Sequence, residues 1–165
     1  MKPIRYTAIK NNPSLAGFAS WMRDITYSTE TGTELTLQLL LPWAATDPAF
    51  PDQRWPLVVF VQGSAWTFPD VGYELPQLGS LARKGYVVAT VTHRSSIDGH
   101  KAPAFLQDVK AAIRFLRKNA DQYRIDTDRV AIWGTSSGGN TALLVGLTGD
   151  DPAYQTAEHA GRSEE

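Results

Sequence analysis

Five consecutive residues, Gly134-Thr135-Ser136-Ser137-Gly138, place a serine between two glycines with the spacing G-x-S-x-G. A continuously apolar run, Val130-Ala131-Ile132-Trp133, precedes them, and a helical pattern follows over about residues 139–147. A serine on a sharp strand-to-helix turn projects its hydroxyl from the edge of a sheet, and the glycines let the turn close. The pattern therefore predicts Ser136 as a nucleophile, with the Ser137 N–H at a helix N-terminus facing a developing oxyanion.

A glycine-rich turn between a strand and a helix has a second use, because such turns also bind phosphate in nucleotide-binding folds. Those folds carry a G-x-G-x-x-G or a Walker pattern. This chain contains neither. The nucleophile interpretation is therefore favoured over the phosphate-binding one.

A second group of small residues, Gln62-Gly63-Ser64-Ala65-Trp66, follows the apolar run Leu57-Val58-Val59-Phe60-Val61. Small side chains let backbone N–H groups face a substrate carbonyl, as in the second half of an oxyanion hole. Gly63, Ser64 and Ala65 are the candidate donors. Trp66 and His93 are candidates for lining the substrate pocket.

The order of the remaining elements defines how these two segments meet. We predict a hairpin from strands at 24–29 and 34–41, then three units of a buried strand and a helix. The strands are expected at 57–61, 86–91 and 130–133, and the helices at 75–84, from Pro103 onward and at 139–147. Such alternation predicts an α/β fold with a mostly parallel sheet, an N-terminal antiparallel hairpin and helices on both faces. Residues 1–165 then form a single domain, with 1–22 a surface segment and 150–165 a polar tail.

The helix that begins at Pro103 shows the clearest amphipathic pattern. Its apolar stripe consists of Phe105, Val109, Ala112, Ile113 and Leu116, and four basic residues lie off that stripe, namely Lys110, Arg114, Arg117 and Lys118. Asp108 lies near the stripe, and we expect it to anchor the start of the helix or to pair with Arg94. We expect that role to be structural.

Several of these segments together resemble the esterase/lipase group of α/β-hydrolases. The resemblance runs from about Asp24 to Asp151 and is greatest to the hormone-sensitive-lipase-like branch, which includes bacterial feruloyl and acetyl esterases. It is carried by five segments: Pro56-Leu57-Val58-Val59-Phe60-Val61-Gln62-Gly63-Ser64-Ala65-Trp66, Gly85-Tyr86-Val87-Val88-Ala89, His93-Arg94-Ser95-Ser96, Asp108-Val109-Lys110-Ala111-Ala112-Ile113-Arg114-Phe115-Leu116 and Trp133-Gly134-Thr135-Ser136-Ser137-Gly138-Gly139.

The resemblance implies hydrolysis of small carboxylic esters through an acyl-enzyme, with no cofactor and no metal. It places the nucleophile on Ser136 and the oxyanion donors on Ser137, Ser64 and Gly63. The chain departs from the group's H-G-G-G motif, because Gln62 replaces the histidine and Ala65 replaces the third glycine. Backbone donors survive both changes.

The general base is the part that the sequence does not supply. In this fold the acid and the histidine follow the serine in chain order, on loops after two later strands, and the resemblance places them beyond residue 165. His93 and His100 precede Ser136 in the chain. His159 follows it, as the chain order requires, but it does not lie on a loop after two later strands. We therefore expect a second polypeptide or a missing C-terminal segment to carry Asp and His, and the strand at 130–133 to be an open edge.

Other functions on the same fold stay open, namely a peptidase, a thioesterase or a catalytically inactive binding module. The composition excludes some classes. The net charge of −1 argues against nucleic-acid binding, and the absence of cysteine excludes disulfides and thiolate metal sites. No apolar run has the length of a membrane span or a signal peptide. A cytoplasmic location is the default prediction, with secretion left open.

Overall fold

The N-terminal hairpin of the predicted fold is present in a computed structural model, which describes residues 17–149 and 151–159. Strand β1 (Ala19–Ser28) pairs antiparallel with β2 (Leu35–Pro42). The hairpin is confirmed, and β1 begins earlier than expected, inside the segment predicted as 1–22. Residues 1–16 of that segment lie outside the described residues.

The three later strands form the parallel part of the sheet. They are β3 (Trp55–Val61), β4 (Val87–Val91) and β5 (Ile125–Gly134), and the sheet order is β1-β2-β4-β3-β5. β3 is parallel to both β4 and β5, whereas β2 is antiparallel to β4. The carboxyl ends of β3, β4 and β5 therefore meet at one edge of the sheet, which we call the carboxyl edge. Ligands bind at this edge in open α/β sheets.

Helices cover both faces of the sheet, as predicted. They are α1 (Leu75–Ala82), α2 (Ala104–Lys118), the short α3 (Ala120–Tyr123) and α4 (Ser137–Thr148). Within the described residues, single 3₁₀ turns lie at Trp43–Thr46, Ser96–Asp98 and Pro152–Tyr154. Alternate residues of β3 enter two different cores, because Leu57, Val59 and Val61 pack with α2 whereas Phe60 packs with α1. This two-sided burial explains why the run 57–61 is continuously apolar.

The apolar stripe of α2 is buried, but part of its expected polar face is buried too. Lys110 and Arg114 are almost fully inaccessible, contrary to the expectation for residues off the stripe. The end of α4 and the segment after it cover them. The Lys110 ammonium donates to the Gly149 carbonyl, and Arg114 Nε donates to the Glu158 carbonyl at 2.9 Å. The buried guanidinium of Arg114 therefore holds the described part of the polar tail against the domain.

β5 lies at the edge of the sheet formed by the described residues. On β5 and the adjoining α4, Trp133 is 46% exposed, Leu143 67% and Leu147 82%. Trp133 packs beside Phe60 on the α1 side of the sheet, whereas α4 packs on the α2 side. Large apolar side chains are thus exposed on both faces at the β5 edge, and exposed apolar patches often mark a surface that another segment covers. Within the described ranges, the predicted open edge at 130–133 is thus present.

None of the helices in the described part of the chain is both long and apolar enough to span a membrane.

Candidate active site

Ser136 lies on the turn between β5 and α4, with φ 49° and ψ −121°. A positive φ is rare for a residue with a side chain and costs about 1–3 kcal/mol, so it persists only where its surroundings enforce it. The Thr135 carbonyl accepts the N–H groups of Gly138 at 2.8 Å and Gly139 at 3.2 Å, which closes the turn. The side chain of Ser136 is exposed at the carboxyl edge. This is the strained serine turn that the G-x-S-x-G spacing predicts.

Two glycines make the turn possible because the end of β3 passes directly against it. A Cβ atom on Gly138 would overlap the carbonyl of Val61, and one on Gly134 would overlap the backbone of Gly138. Both contacts are with backbone atoms, which have little freedom to move. The glycines of the motif are therefore required by close packing between β3, β5 and α4.

The segment after β3, residues 62–67, forms a compact loop beside Ser136, which we call the oxyanion loop. Ala65 and Trp66 are consecutive residues with positive φ, 52° and 58°. The N–H and the hydroxyl of Thr67 both donate to the Ser64 carbonyl, at 3.0 and 2.6 Å. Gly63 abuts the serine turn so closely that a Cβ there would be 2.6 Å from the Thr135 carbonyl oxygen. The structure thus brings all four predicted donor residues and the nucleophile together.

The predicted donor amides differ in whether they already have an acceptor. The Gly63 N–H donates to Thr135 Oγ1 at 3.0 Å, and the Ser64 N–H donates to Ser137 Oγ at 3.0 Å. The Ala65 N–H has no hydrogen-bond partner among the described residues, and Ala65 is exposed. The Ser137 N–H belongs to the first turn of α4, where backbone donors have no partner within the helix. Two of the four amides are therefore free to receive a ligand oxygen.

No histidine of this chain makes a hydrogen bond to Ser136 within residues 17–149 and 151–159. His93 is 2% exposed, and its Nδ1 lies 2.9 Å from the Arg94 carbonyl oxygen. Burial lowers the pKa of His93 below the ordinary value, outweighing the opposing effects of the Arg94 carbonyl and the Asp108 charge. The His159 Nε2 is 2.7 Å from the carbonyl oxygen of Tyr27. Tyr27 belongs to β1, four strand positions from β5, or roughly 19 Å at the usual strand spacing.

A cavity of about 290 Å³ opens beside the oxyanion loop. It is lined by Trp66, Ser96, Lys101, Ala102 and Phe105, with mainly apolar atoms at its surface. The loops after β3 and β4 supply most of these residues, so the cavity lies at the carboxyl edge. Trp66 is one of the lining residues. His93 is not, and its ring centre lies 6.3 Å from that of Phe105.

Arg94 and Asp108 form the expected pair below this site. Arg94 Nη2 lies 2.7 Å from Asp108 Oδ1, and the Arg94 N–H donates to Asp108 Oδ2 at 2.8 Å. Asp108 is buried. The pair fixes the start of the loop after β4 to α2, and that loop forms one wall of the cavity.

Sequence reasoning missed the side chains that join the oxyanion loop to the serine turn. These are the hydroxyls of Thr135 and Ser137, which accept loop amides. Sequence reasoning also missed the Gln62 side chain, whose carbonyl accepts the Asp70 N–H within the segment after β3. A hydroxyl-bearing residue on each side of Ser136 was the available signal. Its meaning depends on the loop coming within hydrogen-bond distance, which only the folded structure shows.

The order of the sheet, the strained Ser136 and the adjoining oxyanion loop define the chain as an α/β-hydrolase. Residues 46–164 match the family model described as BD-FAE. The chain belongs to this family, and the resemblance to hormone-sensitive-lipase-like esterases inferred from the sequence is confirmed.

Comparisons with individual proteins agree with this assignment. Esterase LipC of Mycobacterium tuberculosis is 36% identical over 121 residues, which are 72% of this chain and 29% of that protein. A solved structure named as a bifunctional GH43-CE protein of Bacteroides eggerthii is 37% identical, with a TM-score of 0.67 over 82% of this chain and 18% of that one. The esterase Est2 of Thermogutta terrifontis is 25% identical, with a TM-score of 0.66 over 81% and 45% of the two chains. The chain thus spans less than a third of LipC.

Proposed function

We propose that the chain supplies the nucleophile and the oxyanion hole of a carboxylic-ester hydrolase that works through a serine acyl-enzyme. The observation that carries this proposal is the positive φ of Ser136 on an exposed turn beside the oxyanion loop. A strained serine of this kind has no evident structural benefit, whereas it presents a hydroxyl to a bound carbonyl. The esterases among the similar proteins support the same chemistry.

The proposed reaction begins with attack of Ser136 Oγ on the carbonyl carbon of the ester. A general base takes the hydroxyl proton, and the carbonyl oxygen becomes an oxyanion that accepts hydrogen bonds from the N–H groups of Ser137 and Ala65. The bond to the alcohol oxygen then breaks, and the alcohol leaves with the proton. Water attacks the resulting acyl-enzyme in the same way and regenerates Ser136. In comparable enzymes, removal of one oxyanion donor raises the activation free energy by about 2.7–4 kcal/mol.

We propose that the acid and the base lie outside the described residues, on a C-terminal segment or a second polypeptide. Three observations support this. No histidine contacts Ser136 in the part of the chain that the structure describes, β5 and α4 expose large apolar side chains there, and LipC is more than three times as long as the matched region. Further strands beside β5 would cover Trp133, Leu143 and Leu147 and bring new loops to the carboxyl edge.

Two proteins test where the base comes from. One is the isolated 165-residue chain, and the other is the longest polypeptide in which this chain occurs naturally, which we call the longest form. We expect ester turnover from the longest form and none above background from the isolated chain. A Leu147→Asp variant should lower the folding stability of the longest form while leaving the isolated chain unaffected, because Leu147 is exposed in the latter. Turnover by the isolated chain at the rate of the longest form would contradict the proposal.

The cavity beside Trp66 supports an apolar group on the acyl or alcohol side of the ester. Its wall is apolar, and it lies next to the proposed oxyanion donors. We expect Trp66→Ala to raise KM for esters with aromatic or long alkyl groups and to leave KM for acetate esters nearly unchanged. Trp43→Ala is a matched control, since both tryptophans are 36% exposed and Trp43 follows β2 at the opposite edge.

The activity itself is tested by kinetics on p-nitrophenyl esters with the longest natural form. We expect Ser136→Ala to reduce kcat by at least about a thousandfold, because the acyl-enzyme is lost. Thioester and peptide substrates run in parallel separate the other activities possible on this fold. No turnover of any of the three substrate classes would favour an inactive binding module.

A further inference from the structure

The two residues flanking Ser136 both carry hydroxyl groups, and both hydroxyls contact the oxyanion loop. Thr135 Oγ1 accepts the Gly63 N–H at 3.0 Å. Ser137 Oγ accepts the Ser64 N–H at 3.0 Å and the backbone N–H of Trp66 at 3.4 Å. Three amides of the loop are thus directed at side chains of the serine turn.

These contacts coincide with the strained part of the loop. Ala65 and Trp66 both have positive φ, a conformation that side-chain-bearing residues adopt only when neighbouring contacts enforce it. The hydrogen bond to the Ser64 amide lies just before this strained pair, and the one to the Trp66 amide lies within it. Ser137 is 6% exposed, so water competes little for its oxygen.

The same contacts decide which amide stays available. With the amides of Gly63 and Ser64 occupied, the Ala65 N–H is the loop donor without a partner among the described residues. Ala65 is exposed, and it precedes Trp66, whose side chain lines the cavity. Of Gly63, Ser64 and Ala65, the three predicted donors in the loop, Ala65 is thus the one whose N–H is left for a ligand oxygen.

We propose that the hydroxyls of Thr135 and Ser137 form a clamp that holds the oxyanion loop in its strained conformation and selects the Ala65 N–H as the partner of the Ser137 N–H in the oxyanion hole. Both hydroxyls act through the loop and are positioning residues. The inference rests on the proposed function. It gives a role to two side chains that take no part in the bond changes of the reaction.

Amide hydrogen exchange, followed by NMR on the 165-residue chain, tests the clamp without requiring activity. We expect Ser137→Ala to speed exchange of the Ser64 amide about five- to tenfold, the loss expected for one hydrogen bond, while the Gly63 amide keeps its protection. Thr135→Val, which preserves the shape of the side chain, should give the converse result. Ser137→Thr retains a hydroxyl and should restore protection at Ser64. Unchanged exchange at Ser64 in Ser137→Ala would overturn the proposal.

Kinetics on the longest natural form test whether the clamp serves catalysis. We expect Ser137→Ala and Thr135→Val each to lower kcat about tenfold with KM nearly unchanged, because the oxyanion develops only in the transition state. Ser137→Thr should recover most of that loss. A full kcat in Ser137→Ala, despite faster exchange at Ser64, would overturn the catalytic part. Absence of turnover in the unmutated protein would instead refute the proposed function, while the exchange result would still decide whether the clamp exists.

Discussion

Gly138, the second residue of α4, lies directly against the backbone carbonyl of Val61, the last residue of β3. This close approach places the start of α4 against the oxyanion loop, because the loop begins at the residue after Val61. The same proximity lets Ser137 Oγ reach the Ser64 N–H. The second glycine of the motif therefore determines the distance between the nucleophile and its oxyanion donors.

A methyl group at position 138 should disrupt this packing. We expect Gly138→Ala to destabilise the domain by about 3 kcal/mol or more, the upper range for overpacking, because the obstacle is rigid backbone. Gly146→Ala is the matched control on the same helix. Nothing lies within 4 Å of a Cβ there, and alanine favours helix by about 1 kcal/mol. Urea unfolding of both variants measures the difference, and equal stability for the two would refute the packing argument.

The Arg94–Asp108 pair should be essential for the stability of the loop after β4. We expect Asp108→Asn to cost about 3–5 kcal/mol, because it leaves a largely buried guanidinium without its counter-charge. Asp121→Asn removes the partner of Arg54 in a pair in which Asp121 is exposed, and should change stability by less than about 1 kcal/mol. Thermal unfolding compares the two variants. A similar small effect for both would show that the buried pair is not a structural anchor.

His93 should make the stability of the domain depend on pH. Burial lowers its pKa in the folded state, so the unfolded chain binds a proton near pH 6.5 before the folded chain does. Stability is therefore lost as pH falls below about 6.5 and levels off below the lowered pKa. In His93→Asn this contribution is absent. Unfolding free energies from pH 8 to pH 5 should show the two proteins converging toward acid, and a constant difference would contradict the assignment.

Much of the fold followed from local patterns in the sequence. The apolar runs at 57–61 and 87–91 lie in buried strands, although Tyr86, predicted as the start of the second, is exposed and precedes it. The spacing around Ser136 forms the strained turn that was predicted. The Arg94–Asp108 pair was also anticipated, since an acid near an apolar stripe needs a partner. These features depend on residues close in sequence or on strong constraints against burying unpaired charge.

The contacts that the sequence did not reveal join segments far apart along the chain. Lys110 and Arg114 looked like solvent-facing residues, because their burial depends on where α4 and the tail end. Similarly, the hydroxyl of Ser137 was not recognised as an acceptor for Ser64, since 73 residues separate them. Helical spacing defines which face a residue occupies but not what later packs against that face.

Labelling with a fluorophosphonate, followed by peptide mapping of the native protein in its longest natural form, tests whether Ser136 is the nucleophile. We expect one covalent adduct, on Ser136, that is absent from Ser136→Ala and from denatured protein, because only the folded site activates this hydroxyl. An adduct on a different serine, or none on a protein that hydrolyses esters, would contradict the assignment of Ser136 as the nucleophile.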